Sequence, residues 1–215
     1  MSELSQIREE LFAISLELGA VRLDMSFPFR WASGYMMPIY NDSRLFLSSP
    51  RARALIAQGL EHLLEGQKVE HIAGVATGGI AHAVLLAERL QLPMQYIRSQ
   101  AKSHGLLRQV EGLPQGGYNG ERVALIEDVS STGGSALQAA HALEQSGANV
   151  LGCFTVYSYA FGKTEMAFAE ASLPLRSILS FPQLLNFVAG RRLFRSGEIE
   201  QLRAWHKNPF TRVAH

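Results

Sequence analysis

Val123-Ala124-Leu125-Ile126-Glu127-Asp128-Val129-Ser130-Ser131-Thr132-Gly133-Gly134-Ser135 runs from an uncharged aliphatic stretch through two adjacent carboxylates into a loop of hydroxyls and glycines. Val123 to Ile126 has the composition of a short buried parallel strand, which places Glu127 and Asp128 where that strand leaves its sheet. Ligands of open α/β sheets bind at this edge. Ser130, Ser131, Thr132 and Ser135 offer hydroxyl donors. Gly133 and Gly134 allow backbone N–H groups to approach an anion, and the helix that follows, 134–146, favours negative charge at its start. A helix-capping turn would explain some of these residue types, but the joint order is that of a site for a phosphorylated sugar. The loop binds the phosphate monoester, and the carboxylates accept hydrogen bonds from vicinal hydroxyls or hold a hydrated Mg²⁺.

Outward from this stretch the pattern alternates. Strands are expected over 69–75, 94–98, 122–126 and 150–156, and helices over 80–90 and 134–146. That is the βα order of a parallel sheet wrapped by helices. Upstream, Leu4, Ile7, Leu11, Ile14 and Leu18 have helical spacing, and a second helix over 50–64 starts with Ser49 as cap and Pro50 at its first position. A β-rich segment, 21–40, separates them. Further helices are expected over 163–171, 181–189 and 197–205.

The chain has 215 residues, of which 47% are hydrophobic, enough for one α/β domain with a small appendage. A formal net charge of +1 gives no field that would call for nucleic acid or an anionic membrane as partner. Cys153, the single cysteine, lies inside an expected strand and reads as a core thiol in a reducing compartment. The polar start, 1–10, does not read as a secretory signal, so a cytoplasmic protein is expected. The longest apolar stretch, 72–87, is broken by glycines and His82 and is too short to span a membrane.

Gly74-Val75-Ala76-Thr77-Gly78-Gly79 also closes a strand and opens a helix, a second turn able to receive an anion. Neither the dinucleotide nor the nucleoside-triphosphate glycine signature is present. Between Arg98 and Glu121 lie 22 residues without periodicity, carrying Lys102, His104 and Arg108, a length that in a compact domain is functional or disordered.

The 123–135 stretch resembles the phosphoribosyl pyrophosphate (PRPP) motif of the type I phosphoribosyltransferases. Ser33-Gly34, Pro38 to Asp42, Gly74 to Ile80, and Arg98 to Gly105 followed by Glu111-Gly112 extend the resemblance over nearly the whole chain, in the orotate branch of that family. The resemblance implies a mainly parallel five-stranded sheet flanked by helices, a small hood built mainly from 1–45, and a mobile lid at about 99–117, within one domain of residues 1–215. It implies transfer of ribose 5-phosphate from PRPP to orotate, with Mg²⁺ as cofactor. It also implies a homodimer whose lid closes on the neighbouring subunit.

By residue, the resemblance implies PRPP contacts from Thr77, Gly78, Gly79, Arg98, Lys102, His104 and Glu127 through Ser135, including Val129, with orotate touching Ser131. Lys102, His104 and Asp128 carry the catalytic roles, and Mg²⁺ arrives through PRPP, with Glu127 and Asp128 reached through water. The chain departs from the pattern at Ala32, Gly78 and Ser99, each a lysine in some members, and has no arginine in 157–161. A purine or other-base phosphoribosyltransferase and a non-catalytic PRPP-binding regulator are the alternatives that share this fold.

Overall fold

The computed structural model describes residues 2–24, 29–30, 36–98, 109–113 and 116–210. Helix α1 (Glu3–Glu17) is followed by short strands β1 (Val21–Leu23), β2 (Phe29–Arg30), β3 (Met36–Met37) and β4 (Ile39–Asn41). Then come a 3-10 turn (Ser43–Ser48), α2 (Pro50–Leu63), β5 (His71–Val75), α3 (Gly78–Leu90), β6 (Met94–Ile97), β7 (Val110–Glu111) and β8 (Arg122–Ser130). The chain continues with α4 (Gly134–Gln145), β9 (Asn149–Ser158), α5 (Gly162–Glu170), β10 (Leu175–Ser180), α6 (Phe181–Gly190) and α7 (Ser196–Lys207).

The main sheet has the order β10-β9-β8-β5-β6-β7. Its first five strands run parallel, and β7 joins β6 antiparallel. The five parallel strands thus acquire a two-residue sixth. Four coincide with stretches marked by the sequence, whereas β10 was not among the expected elements: Leu-Arg-Ser-Ile-Leu-Ser has no run of β-branched residues, and only Ile178 and Leu179 in it are buried.

Both faces of the sheet are covered, and side chains alternate between two cores. Ile72, Ala124, Ile126, Phe154 and Ile178 pack with α1, α2, α3 and α6, while Ala73, Val123, Leu125 and Cys153 pack with α4 and with Phe168 of α5. Burial raises the Cys153 thiol far above its usual range, assisted by Glu127 only at alkaline pH where that carboxyl ionises, which leaves an inert core thiol.

Two details position the site. Strands β5 and β8 are neighbours, and the chain leaves β5 for β6 on one side but leaves β8 for β9 on the other, so the crevice beyond their carboxyl ends is the switch point of the sheet. Strand β8 also runs four residues further than its expected end at Ile126. Its pairing with β5 stops at Gly74–Ile126, while pairing with β9 continues through Glu127–Thr155 to Ser130–Ser158. Glu127 and Asp128 therefore belong to a half-paired ledge rather than to a strand that has already left the sheet.

Candidate active site

Strand alternation starts the two carboxylates on opposite faces of this ledge. Asp128 is half-buried and points to the side of α3, where the 3-10 turn comes alongside: Ser43 Oγ donates to Asp128 Oδ2 at 2.7 Å. From β9, Thr155 Oγ1 donates to the Asp128 carbonyl at 3.2 Å. Glu127 is only 7% exposed, and its Oε1 accepts from the Asp128 backbone N–H at 3.0 Å. Burial first, and then the adjacent Asp128, push the Glu127 carboxyl up to about 9, so it carries a proton at neutral pH.

The turn between β5 and α3 presses onto this ledge. A β-carbon on Gly78 would collide with the Asp128 carboxylate, and one on Gly79 with the Ile126 carbonyl. Glycine here serves close approach between two backbones rather than a positive φ. The Ala76–Thr77 peptide is cis, and Thr77 is exposed at the rim. One turn into α3, His82 is 1% exposed, and neither ring nitrogen has a hydrogen-bond partner. Burial drives its imidazole down to about 4 against the opposing pull of Asp128, so it is neutral.

Beyond the ledge, Ser130 is buried and its Oγ is unpartnered, whereas Thr132, Gly134 and Ser135 are exposed and Ser131 is half-buried. Gly133 has φ +79, which its position at the foot of α4 requires. The loop thus opens its backbone N–H groups and hydroxyls to an anion at a helix N-terminus. Arg98, at the end of β6, lies 3.6 Å from Glu111 across the β6–β7 pair and keeps 44% of its side chain exposed.

The structure therefore brings Thr77, Gly78, Gly79, Glu127, Asp128, Val129 and the 130–135 loop to one crevice. Arg98 stands at the end of β6, the neighbouring strand. Lys102, His104, Ser99, Ala32 and Ser33-Gly34 lie outside the described residues. Sequence reading overlooked Ser43 as a partner of Asp128 and treated His82 only as a break in an apolar run; a charged or hydroxyl residue next to the Asn41-Asp42 pair was the available signal for the first. Among the described residues no group of three or more His, Cys, Asp or Glu side chains could hold a metal ion.

The family model for the phosphoribosyl transferase domain matches residues 47–167. The orotate phosphoribosyltransferase of Bacillus subtilis is 41% identical over 208 residues, covering 95% of each chain. The chain belongs to the orotate phosphoribosyltransferase family. A crystal structure of the family member from Aeropyrum pernix superposes with a TM-score of 0.70 at 31% identity, covering 83% of this chain and 98% of that one. The orotate phosphoribosyltransferase of Mycobacterium tuberculosis in complex with PRPP gives a TM-score of 0.63 at 28% identity, over 83% and 98% of the two chains.

Proposed function

We propose that this chain is an orotate phosphoribosyltransferase that transfers ribose 5-phosphate from PRPP to N1 of orotate, yielding orotidine 5′-monophosphate and pyrophosphate for pyrimidine synthesis. The observation that carries the reading is the half-paired ledge of β8, which sets Asp128 between a close turn on one side and an open hydroxyl-glycine loop on the other. The loop of Ser131, Thr132, Gly133, Gly134 and Ser135 receives the 5′-phosphate through backbone N–H groups and hydroxyls. Asp128 Oδ1, not engaged by Ser43, accepts from the ribose hydroxyls. Thr77, Gly78 and Gly79 face the pyrophosphate, Ser131 is placed to meet the orotate, and Ser130 and Val129 shape the floor.

Glu127 plays a different part from Asp128 in this reading. Neutral and buried, it keeps its neighbour's backbone fixed and does not add a second negative charge beside a polyanionic substrate. Breaking the C1–O bond leaves positive character on the ribose and growing negative charge on the pyrophosphate, and Arg98, Lys102 and His104 supply the neutralising charge. The oxygen donors present suit a divalent cation that keeps most of its waters and arrives with the pyrophosphate: Asp128, through water, would orient Mg²⁺, which when bound polarises the pyrophosphate oxygens, while the protonated and buried Glu127 stays out of its shell.

Residues 1–215 act as one domain whose hood, mainly 1–45, covers the base; of the expected lid, 99–117, β7 is fixed in the sheet, so the part that closes over the bound substrates is 99–108. Two copies pair as a homodimer in which the lid of one subunit closes on the site of its neighbour. The buried thiol of Cys153 suits the cytoplasm, and among the described residues no helix is long and apolar enough to cross a membrane.

The test is a base-specificity assay with PRPP and Mg²⁺. Nucleotide should form with orotate and not with uracil, hypoxanthine or adenine; preference for a purine would replace this reading with the purine one, and binding of PRPP without turnover of any base would mark a regulator. Lys102→Ala should lower kcat about a hundredfold, roughly 3 kcal/mol of transition-state stabilisation, while PRPP binding changes little. Mixing those subunits with Asp128→Asn subunits should restore part of the activity, and its absence after proven exchange would place Lys102 in its own subunit's site.

A further inference from the structure

The loop that opens toward solvent is fixed from beneath by the connection from β9 into α5. Tyr159 N–H donates to the Ser130 carbonyl at 2.9 Å, and the hydroxyl of Thr164, a residue only 2% exposed, donates to the next carbonyl, that of Ser131. Two positions on, Gly133 rests against α5: a β-carbon there would meet the Phe168 ring at 2.5 Å and the Thr164 methyl at 3.2 Å. One carbonyl and one glycine of the loop are thus held by α5, a helix that itself contributes no group to the crevice, and the preceding carbonyl is held by Tyr159 just ahead of that helix.

The chemistry of a peptide bond gives this anchoring a consequence for an anion. The Ser131–Thr132 peptide is trans, so its carbonyl and its N–H point in opposite directions. With the carbonyl bound by Thr164, the Thr132 N–H faces away from α5, toward the side on which Thr132, Gly134 and Ser135 are exposed. Were the carbonyl released, the peptide could turn and present an oxygen, which repels a phosphate that the N–H attracts.

We propose that Thr164 is a positioning residue for the 5′-phosphate, acting through the Ser131–Thr132 peptide so that N–H groups meet the anion. The proposal rests on the assignment of 131–135 as the 5′-phosphate loop. Thr164→Val keeps the shape of the side chain and removes the donor, whereas Thr164→Ser keeps the donor and removes the methyl. Titration calorimetry with ribose 5-phosphate, and steady-state kinetics with PRPP and orotate, separate the effects. Thr164→Val should weaken ribose 5-phosphate and raise the KM for PRPP about tenfold, the loss expected for one hydrogen bond whose acceptor then competes with the ligand. KM for orotate at saturating PRPP should stay within about twofold of wild type, and Thr164→Ser should stay within about twofold in every measurement, bounds set by the smallest net value of a hydrogen bond.

Ribose 5-phosphate affinity unchanged in folded Thr164→Val, or Thr164→Ser no better than Thr164→Val, would overturn the proposal. If Thr164→Val does not fold, Thr164→Ala is judged by the same two criteria. Wild type that binds ribose 5-phosphate but makes no nucleotide from orotate would refute the base assignment and leave Thr164 to be judged by the titration. Wild type that does not bind ribose 5-phosphate would remove the loop assignment and this proposal with it.

Discussion

The two glycine turns at the crevice use the same residue for opposite ends. Between β5 and α3, Gly78 and Gly79 let one strand's exit lie directly on the backbone and carboxylate of the next, and a methyl at either position would meet β8. Between β8 and α4, Gly134 has nothing within 4 Å of where its β-carbon would be, and the loop around it is exposed. The first turn packs its glycines on β8, which aims Asp128, and keeps only its rim, at Thr77, open to the pyrophosphate; the second is left open on one face and braced by α5 on the other. A glycine-rich motif thus marks closeness of backbone in general, and only the surroundings show whether protein or ligand is the neighbour.

The strongest attack on this contrast is Asp128→Asn, which removes the charge that the closed turn aims while conserving volume. Turnover should fall at least about a hundredfold, the scale of losing an electrostatic contact to the reacting sugar, with the melting temperature within about 2 °C of wild type, since Ser43 retains an oxygen to donate to. Unchanged kinetics in the folded variant would remove Asp128 from the mechanism.

The closed side should also reveal itself in pH. His82 has its folded pKa lowered to about 4, below the ordinary 6.5, so the stability it allows is complete above 6.5 and is lost as pH falls toward 4, on the order of 2–3 kcal/mol. Glu127 has its pKa raised to about 9, so its contribution is complete below about 4.5 and is lost as pH rises toward 9. Urea midpoints should therefore fall on both sides of mildly acidic pH. His82→Leu should flatten the acid limb and Glu127→Gln the alkaline limb, and limbs unchanged in both variants would contradict these assignments.

Smaller effects separate the turns directly. Gly79→Ala should cost about 2–3 kcal/mol by forcing the turn off the Ile126 carbonyl, lowering the melting temperature by about 5–10 °C. Gly134→Ala should leave stability unchanged or raise it by up to about 1 kcal/mol, because alanine favours the helix, while KM for PRPP rises several-fold as the methyl occupies the anion's approach. A destabilised Gly134→Ala protein with normal KM would reverse the comparison. Smallest of all, Ser43→Ala should reduce kcat/KM about three- to tenfold, the value of one hydrogen bond to the carboxylate it orients.

Much of this was legible in advance where local chemistry and fold agree. The 123–135 stretch announced strand, carboxylates and loop because each part has its own residue types, and Ser49-Pro50 announced α2, where Ser49 Oγ indeed caps the Ala52 N–H at 3.2 Å. The strand's true end was hidden because Glu127 and Asp128 look like loop residues; pairing with β9 on one edge alone extends β8 through them. β10 was hidden because its burial comes from α1, α2 and α6 packing over it, not from a strand-like composition. Ser43 and Thr164 were invisible for a common reason: each acts on a residue that is distant in sequence, through a contact that only the finished fold creates.

The β6–β7 pair has a consequence for reach. Tyr96 and Ile97 face Glu111 and Val110, and Arg98 N–H donates to the Gln109 carbonyl at 3.0 Å, so residues 98 and 109 stand side by side. Whatever path residues 99–108 take, the entropy of joining their ends has already been spent by the sheet, and the segment is a short tether with both ends at one point. Lys102 is four residues from Arg98, so its backbone can travel at most about 14 Å from that anchor, and His104, five residues from Gln109, about 17 Å. These radii bound the geometry of any pair of subunits in which one copy's Lys102 serves the other's leaving pyrophosphate: the receiving crevice must open within a lysine's length of that sphere.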